Sequence, residues 1–86
     1  MKISVKTFDI GSSEEKARKV CEEAFEFYAA HYSVEQRGKE ELMMEIGDVF
    51  TILMNYCAAN NIDPQYCVDL VEVKNIFRGR YDNMDT

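Results

Sequence analysis

No uninterrupted apolar run in this chain is long enough to cross a bilayer, so no membrane span is expected. The opening residues, Met1-Lys2-Ile3-Ser4-Val5, lack the apolar core and small-residue cleavage site of a secretory signal, and the expectation is an intracellular, cytoplasmic protein. Cysteine is scarce and odd in number. Cys21, Cys57 and Cys67 form no C-x-x-C pair, which argues against a disulfide framework, and each falls within an apolar helical pattern that predicts a buried thiol. His31 is the single histidine, and its place in an apolar pattern predicts a packed role over a catalytic one. Basic residues are the minority, ten against sixteen acidic, and the net charge of -6 argues against a nucleic-acid groove or an anionic membrane surface as partner. Internal repeats, low-complexity tracts and linkers are all missing, so the 86 residues are read as one domain spanning 1–86.

What is present is helical patterning with clear punctuation. Residues 1–11 alternate weakly through Ile3, Val5 and Phe8 and read as an extended N-terminal arm or edge strand. Ser12 followed by Glu15 is a capping box that starts helix one at Ser13, and the pattern carries it to about Tyr32. Ser33 and Gln36 offer a second capping box, with Gly38 close behind, and the body of helix two runs from about Lys39 to Ala59. Asn60-Asn61 suits a left-handed helix end, Asp63-Pro64 an N-cap with proline at the first helical position, and helix three covers about Pro64 to Arg80. Residues 82–86 read as a frayed tail. The expected fold is all-α: a three-helix protomer, made of a helical hairpin and a third helix.

Two acidic clusters interrupt the apolar pattern, Glu22-Glu23-Ala24-Phe25-Glu26 and Glu45-Ile46-Gly47-Asp48. At about 100° per residue, Val20, Ala24, Phe27 and His31 centre the stripe of helix one, and Leu42, Ile46, Val49 and Leu53 that of helix two. Glu23 and Glu26 lie roughly 60° and 120° to one side of Val20; Glu45 and Asp48 lie roughly 60° and 120° from Leu42 in the same sense. With the helices antiparallel, as the short connection between them implies, both pairs project from one side of the hairpin. Four carboxylates there would repel one another, and a hard divalent cation, Mg²⁺ or Mn²⁺, would relieve the conflict with all-oxygen ligation.

These residues resemble the MazG-type family of all-α nucleoside triphosphate pyrophosphohydrolases, whose pattern is EExxE, a spacer, then ExxD. Here EEAFE is followed by 18 residues and EIGD, and Lys74-Asn75-Ile76-Phe77-Arg78 resembles the family's basic segment on a following helix. The resemblance implies that Glu23, Glu26, Glu45 and Asp48 hold Mg²⁺, that Lys74, Asn75 and Arg78 contact the phosphates or sugar of a nucleoside triphosphate, and that the products are a nucleoside monophosphate and pyrophosphate. The role would be housecleaning of the nucleotide pool. Glu22 and Glu26 are the candidates for activating the water, with an ordinary salt bridge as the competing role for Glu22. Phosphoribosyl-ATP pyrophosphohydrolases share the Lys19-to-Glu26 pattern, but the histidine usual soon after the aspartate is missing beyond Asp48. A non-catalytic helical interaction module is the other alternative.

Three short helices leave Phe50, Leu53, Met54, Leu70 and Phe77 with too little partner surface in one copy, which predicts a homodimer or homotetramer with a four-helix-bundle-like core. Met43, Met44 and Met54, and the aromatics Phe25, Tyr28, Tyr32, Phe50 and Tyr56, read as packing residues. Arg37-Gly38-Lys39 reads as a solvated turn, and Lys74, Arg78 and Arg80 also suit the C-terminal end of a helix dipole.

Overall fold

The computed structural model describes residues 3–9 and 11–82, and among them the chain is all-α. Helix α1 spans Ser13–Tyr32, α2 is a single turn at Val34–Arg37, α3 spans Lys39–Ala59 and α4 spans Pro64–Phe77. Residues 3–9 form neither a strand nor a helix. The expected tail falls mainly on residues 83–86, which lie outside the described residues.

Local chemistry accounts for most boundaries. The Ser12 hydroxyl accepts the Glu15 N–H at 3.2 Å and so caps α1. At Ser33 the expected capping box does not form: its hydroxyl turns back to donate to the Ala29 carbonyl at 3.1 Å, and α2 starts without a side-chain cap. Gly38, at φ +92°, lets the chain leave α2 and enter α3 in a conformation that L side chains rarely adopt. The Arg37 guanidinium reaches Glu41 at 3.7 Å across this solvated turn. Asn60 ends α3, Asn61 adopts φ +55°, and the Asp63 carboxylate accepts the Gln65 N–H at 3.0 Å ahead of Pro64. Helix α4 stops at Phe77, three residues short of the expected Arg80, because the Gly79 and Arg80 N–H groups close turns onto Ile76 and Asn75 carbonyls.

Helices α1 and α3 form an antiparallel hairpin. The start of α1 meets the end of α3, where the Ser13 hydroxyl donates to Asn60 Oδ1 at 3.1 Å. The arm is tied to the same end: the Phe8 N–H donates to Asn55 Oδ1 at 2.9 Å. Lys16, buried in α1, binds Asp9 at 2.8 Å and the Gly11 carbonyl. Asn55 is itself 2% exposed, and its Nδ2 has no partner among the described residues.

The faces that meet are rotated from the expected ones. On α1 the least exposed positions are Lys16, Lys19, Val20, Glu23 and Ala30; on α3 they include Leu42, Glu45, Val49, Ile52 and Asn55. Both faces are turned by roughly 60° towards the carboxylates relative to the stripes read from apolarity. Ala24 and His31 on α1, and Ile46 and Leu53 on α3, are therefore exposed instead of central, and His31 lies edge-on to Tyr32 with ring centres 5.0 Å apart. The physical reason is the breadth of the apolar arc: α3 is apolar around most of its circumference, and one neighbour covers only a stripe about 100° wide. The buried-thiol expectation fails for the same reason: Cys21 and Cys67 are exposed and Cys57 is half-buried. Met43 and Met44 also face outward, and Met54 is half-buried.

By length and mean hydropathy α3 is long and apolar enough to cross a membrane, although no uninterrupted apolar run predicts this. A window average tolerates the carboxylates that break the run. Asp48 lies near the middle of this helix, where an aspartate in a bilayer costs about 2.5–3.5 kcal/mol, and α3 lies instead along α1.

Candidate metal centre

Glu23 is delivered by the middle of α1 and Glu45 and Asp48 by the first half of α3, where the antiparallel pairing sets them at the same level. Each offers a carboxylate oxygen, and these oxygens all lie within 4.8 Å of one another. Glu23 and Glu45 are half-buried and Asp48 is exposed. The spacing of three on α3 places Glu45 and Asp48 on neighbouring positions of one face, and the rotation of both helices brings that face inward.

The electrostatics of the group are those of crowded negative charge. Glu45 is held above the ordinary carboxylate range first by partial burial and then by the charges of Asp48, Glu23, Glu26 and Glu41. Glu26, expected as a fourth ligand, is outside the group of three and acts on it through this field. The cation present is Lys19, whose Nζ lies 3.1 Å from Glu23 and 3.4 Å from Glu22. These bonds, the one to Glu23 first, hold the Lys19 ammonium above its usual range. Glu22 thus makes the salt bridge that competed with its catalytic role, on the outer flank of α1.

Glu23, Glu45 and Asp48 are the residues that would hold a hard divalent cation, as an all-oxygen set with an excess of negative charge. Lys19 is the residue that motif reading overlooked. Its signal lies in the sequence, four residues before Glu23 and three before Glu22, a spacing at which a lysine neutralises glutamates on one helix face.

A cavity of about 400 Å³ is lined by Phe8, Glu15, Arg18, Lys19, Glu22 and Ile52, and it meets the carboxylate group through Lys19, the ion-pair partner of Glu23. The N-terminal arm forms part of its wall through Phe8. A second cavity of about 460 Å³, sharing Phe8, is lined by Asn55, Lys16 and small residues at the end of α3. Lys74, Asn75 and Arg78 stand elsewhere. They lie on or just beyond α4, which makes little contact with the hairpin, and Asn75 Nδ2 donates to the Tyr81 hydroxyl at 3.2 Å. Within one chain they are not brought to the carboxylates.

The field at Glu45 has a measurable consequence. A carboxyl raised in the folded state favours the fold while protonated, so its contribution is fullest below the ordinary value of 4.5 and is lost as pH rises through the raised value. In metal-free protein, the melting temperature is expected to fall as pH is taken from about 4.5 towards neutrality. The slope should be shallower in Glu45→Gln; thermal unfolding in EDTA across this range, wild type against variant, checks the difference.

Comparison with protein-family models, with curated proteins and with solved structures found no match to this chain.

Proposed function

We infer that the chain is a Mg²⁺-dependent nucleoside triphosphate pyrophosphohydrolase, releasing a nucleoside monophosphate and pyrophosphate. The observation that carries this reading is the meeting of Glu23, Glu45 and Asp48 within 4.8 Å across two antiparallel helices. The EExxE and ExxD spacings that deliver them resemble those of the MazG-type enzymes, and a cavity opens at Lys19, the ion-pair partner of Glu23.

In this reading Glu23, Glu45 and Asp48 hold Mg²⁺, which when bound neutralises phosphate oxygens and lowers the pKa of coordinated water. Lys19 leaves Glu23 and turns to a phosphate, a move within reach of a flexible ammonium on a half-buried lysine. Arg18, whose guanidinium has no ion pair among the described residues, lines the same cavity and supplies a second cation. Glu26 or Glu22 takes the proton from the attacking water as the bond between the α and β phosphoryl groups breaks and pyrophosphate leaves. Phe8 gives the cavity apolar surface against which a nucleoside can rest.

The test is pyrophosphate release from a panel of canonical and modified ribo- and deoxyribonucleoside triphosphates, with Mg²⁺, with Mn²⁺ and with EDTA. Metal-dependent turnover of at least one triphosphate is expected. Folded protein that turns over none overturns the reading, and preference for phosphoribosyl-ATP in competition assigns the chain to that related reaction.

A further inference from the structure

The inward faces of the hairpin carry polar groups beyond the carboxylates. Lys16 stands seven residues before Glu23 on α1, and Asn55 stands seven residues after Asp48 on α3. Seven residues return a helix to within about 20° of the same face, about 10.5 Å further along its axis. Because the helices are antiparallel, both steps lead to the same end of the hairpin, and there Lys16 and Asn55 line the cavity of about 460 Å³. Lys19 and Ile52 occupy the turn between, and both line the first cavity. Phe8 lines both cavities, so the two adjoin.

The polar atoms of the second cavity define what it can recognise. Asn55 is buried, and its Oδ1 accepts the Phe8 N–H at 2.9 Å, which orients the amide. The Nδ2 on its other side is buried without a partner among the described residues. An unpaired buried donor is costly, and a ligand atom that accepts from it removes the cost. The buried Lys16 ammonium carries three N–H groups; Asp9 and the Gly11 carbonyl engage two, and the third has no partner among the described residues. Both groups therefore offer donors. A ring edge that presents a carbonyl oxygen satisfies them, whereas an amino group in the same place sets donor against donor. Phe8 and the small side chains of Ala58 and Ala59 give the walls apolar surface for a flat ring.

We propose that Asn55 selects the base of the nucleoside triphosphate, admitting 6-oxopurines and 4-oxopyrimidines ahead of their amino counterparts, adenine and cytosine. The proposal rests on the reading of the carboxylates as a triphosphate site, because two helical turns from Asp48 to Asn55 are close to the span that a ribose sets between a phosphate and the far edge of its base. Asn55 Nδ2 donates to the carbonyl oxygen of the base, and Lys16 supplies the second donor. Arm residues 7–9, which belong to no helix or strand, are the wall that yields as the ring enters. Asn55 sets specificity and touches neither the reacting phosphorus nor the attacking water.

The experiment is an NMR titration of the metal-free full chain with nucleosides, which carry no phosphate, following the Asn55 side-chain amide signals. Inosine and uridine are expected to move these signals and to bind at least about tenfold more tightly than adenosine and cytidine. Asn55→Asp keeps an acceptor for the Phe8 N–H and removes the donor, and the preference should shift at least about tenfold towards adenosine and cytidine. Ala58→Leu, at an exposed position on the cavity wall, fills the cavity and should abolish inosine binding while circular dichroism stays helical. It decides the matter where Asn55→Asp loses its fold. Equal affinity for inosine and adenosine overturns the proposal, as does inosine binding unchanged by Ala58→Leu. So does an Asn55 amide that no nucleoside moves, the result of a water molecule as its partner. Failure of the pyrophosphohydrolase reading gives a different pattern: base discrimination without turnover of any triphosphate keeps the base site and removes the reaction, whereas turnover without base discrimination keeps the reaction and removes the base site.

Discussion

Asp48→Asn is expected to move stability and activity in opposite directions. Asp48 is exposed, so the substitution leaves no cavity, and it removes the largest of the charges that push Glu45 up. Metal-free protein should therefore melt at a slightly higher temperature than wild type at neutral pH, because one repulsion within the cluster is gone. The same change replaces a charged ligand with a neutral amide. Loss of a group that only supports a ligand costs on the order of 10–100-fold in metal affinity or activity, and loss of the ligand itself should cost the upper end of that range or more.

The readouts are paired. Thermal unfolding with and without millimolar Mg²⁺ should show metal-linked stabilisation in wild type and none in Asp48→Asn, since only a cation bound to the folded state shifts the transition. Metal-dependent pyrophosphate release should fall about a hundredfold or further. Undiminished release by the variant would remove Asp48 from the site. Unfolding of the variant would show instead that the carboxylate supports the fold, contrary to its exposed position.

Ile52→Ala is expected to have the largest effect on stability. Ile52 is 5% exposed and, with Ala30, is one of two apolar residues fully buried among the described residues. Truncating a buried isoleucine to alanine costs about 2–5 kcal/mol, through lost transfer energy and the cavity left behind. Whole domains are stable by only about 5–15 kcal/mol, and a chain with so small a core sits towards the low end. The variant should be partly unfolded at room temperature, whereas Ile52→Val should lose only about 0.5–1.5 kcal/mol. Urea unfolding followed by circular dichroism, at one protein concentration throughout, gives the comparison. Equal stability of wild type and Ile52→Ala would mean that the α1–α3 contact is not the core of the folded chain.

The hairpin was legible because its signals are local. Ser12, Asp63 and Pro64 bind or shape the backbone within a few residues of themselves, and the helix boundaries they predict at Ser13 and Pro64 are those observed. Ser33 misled because a serine hydroxyl has two local uses, capping the next helix or returning to the previous turn, and both lie within reach. The carboxylates were legible as a set, since equal offsets on two antiparallel helices converge whichever apolar residues lie between them. Glu26 fell outside the group of three although Asp48 has the same offset of roughly 120° on α3, so helical period alone does not separate the two. Lys19 was missed because the motif reading followed acidic residues alone.

Sequence by itself determined the three long helical segments, where α1 and α4 begin, and that Glu23, Glu45 and Asp48 share one side of a hairpin, because caps, glycine and helical period act over one to four residues. Only the tertiary structure decided which face of each helix is inward. That choice depends on how much apolar surface one neighbour can cover, and α3 has more than α1 can take. The outcome drew Glu23, Glu45 and Asp48 together, left Met43, Ile46, Phe50 and Leu53 outside, and left most of α4 exposed. No single helix carries that information, since it lies in the competition between surfaces for a partner.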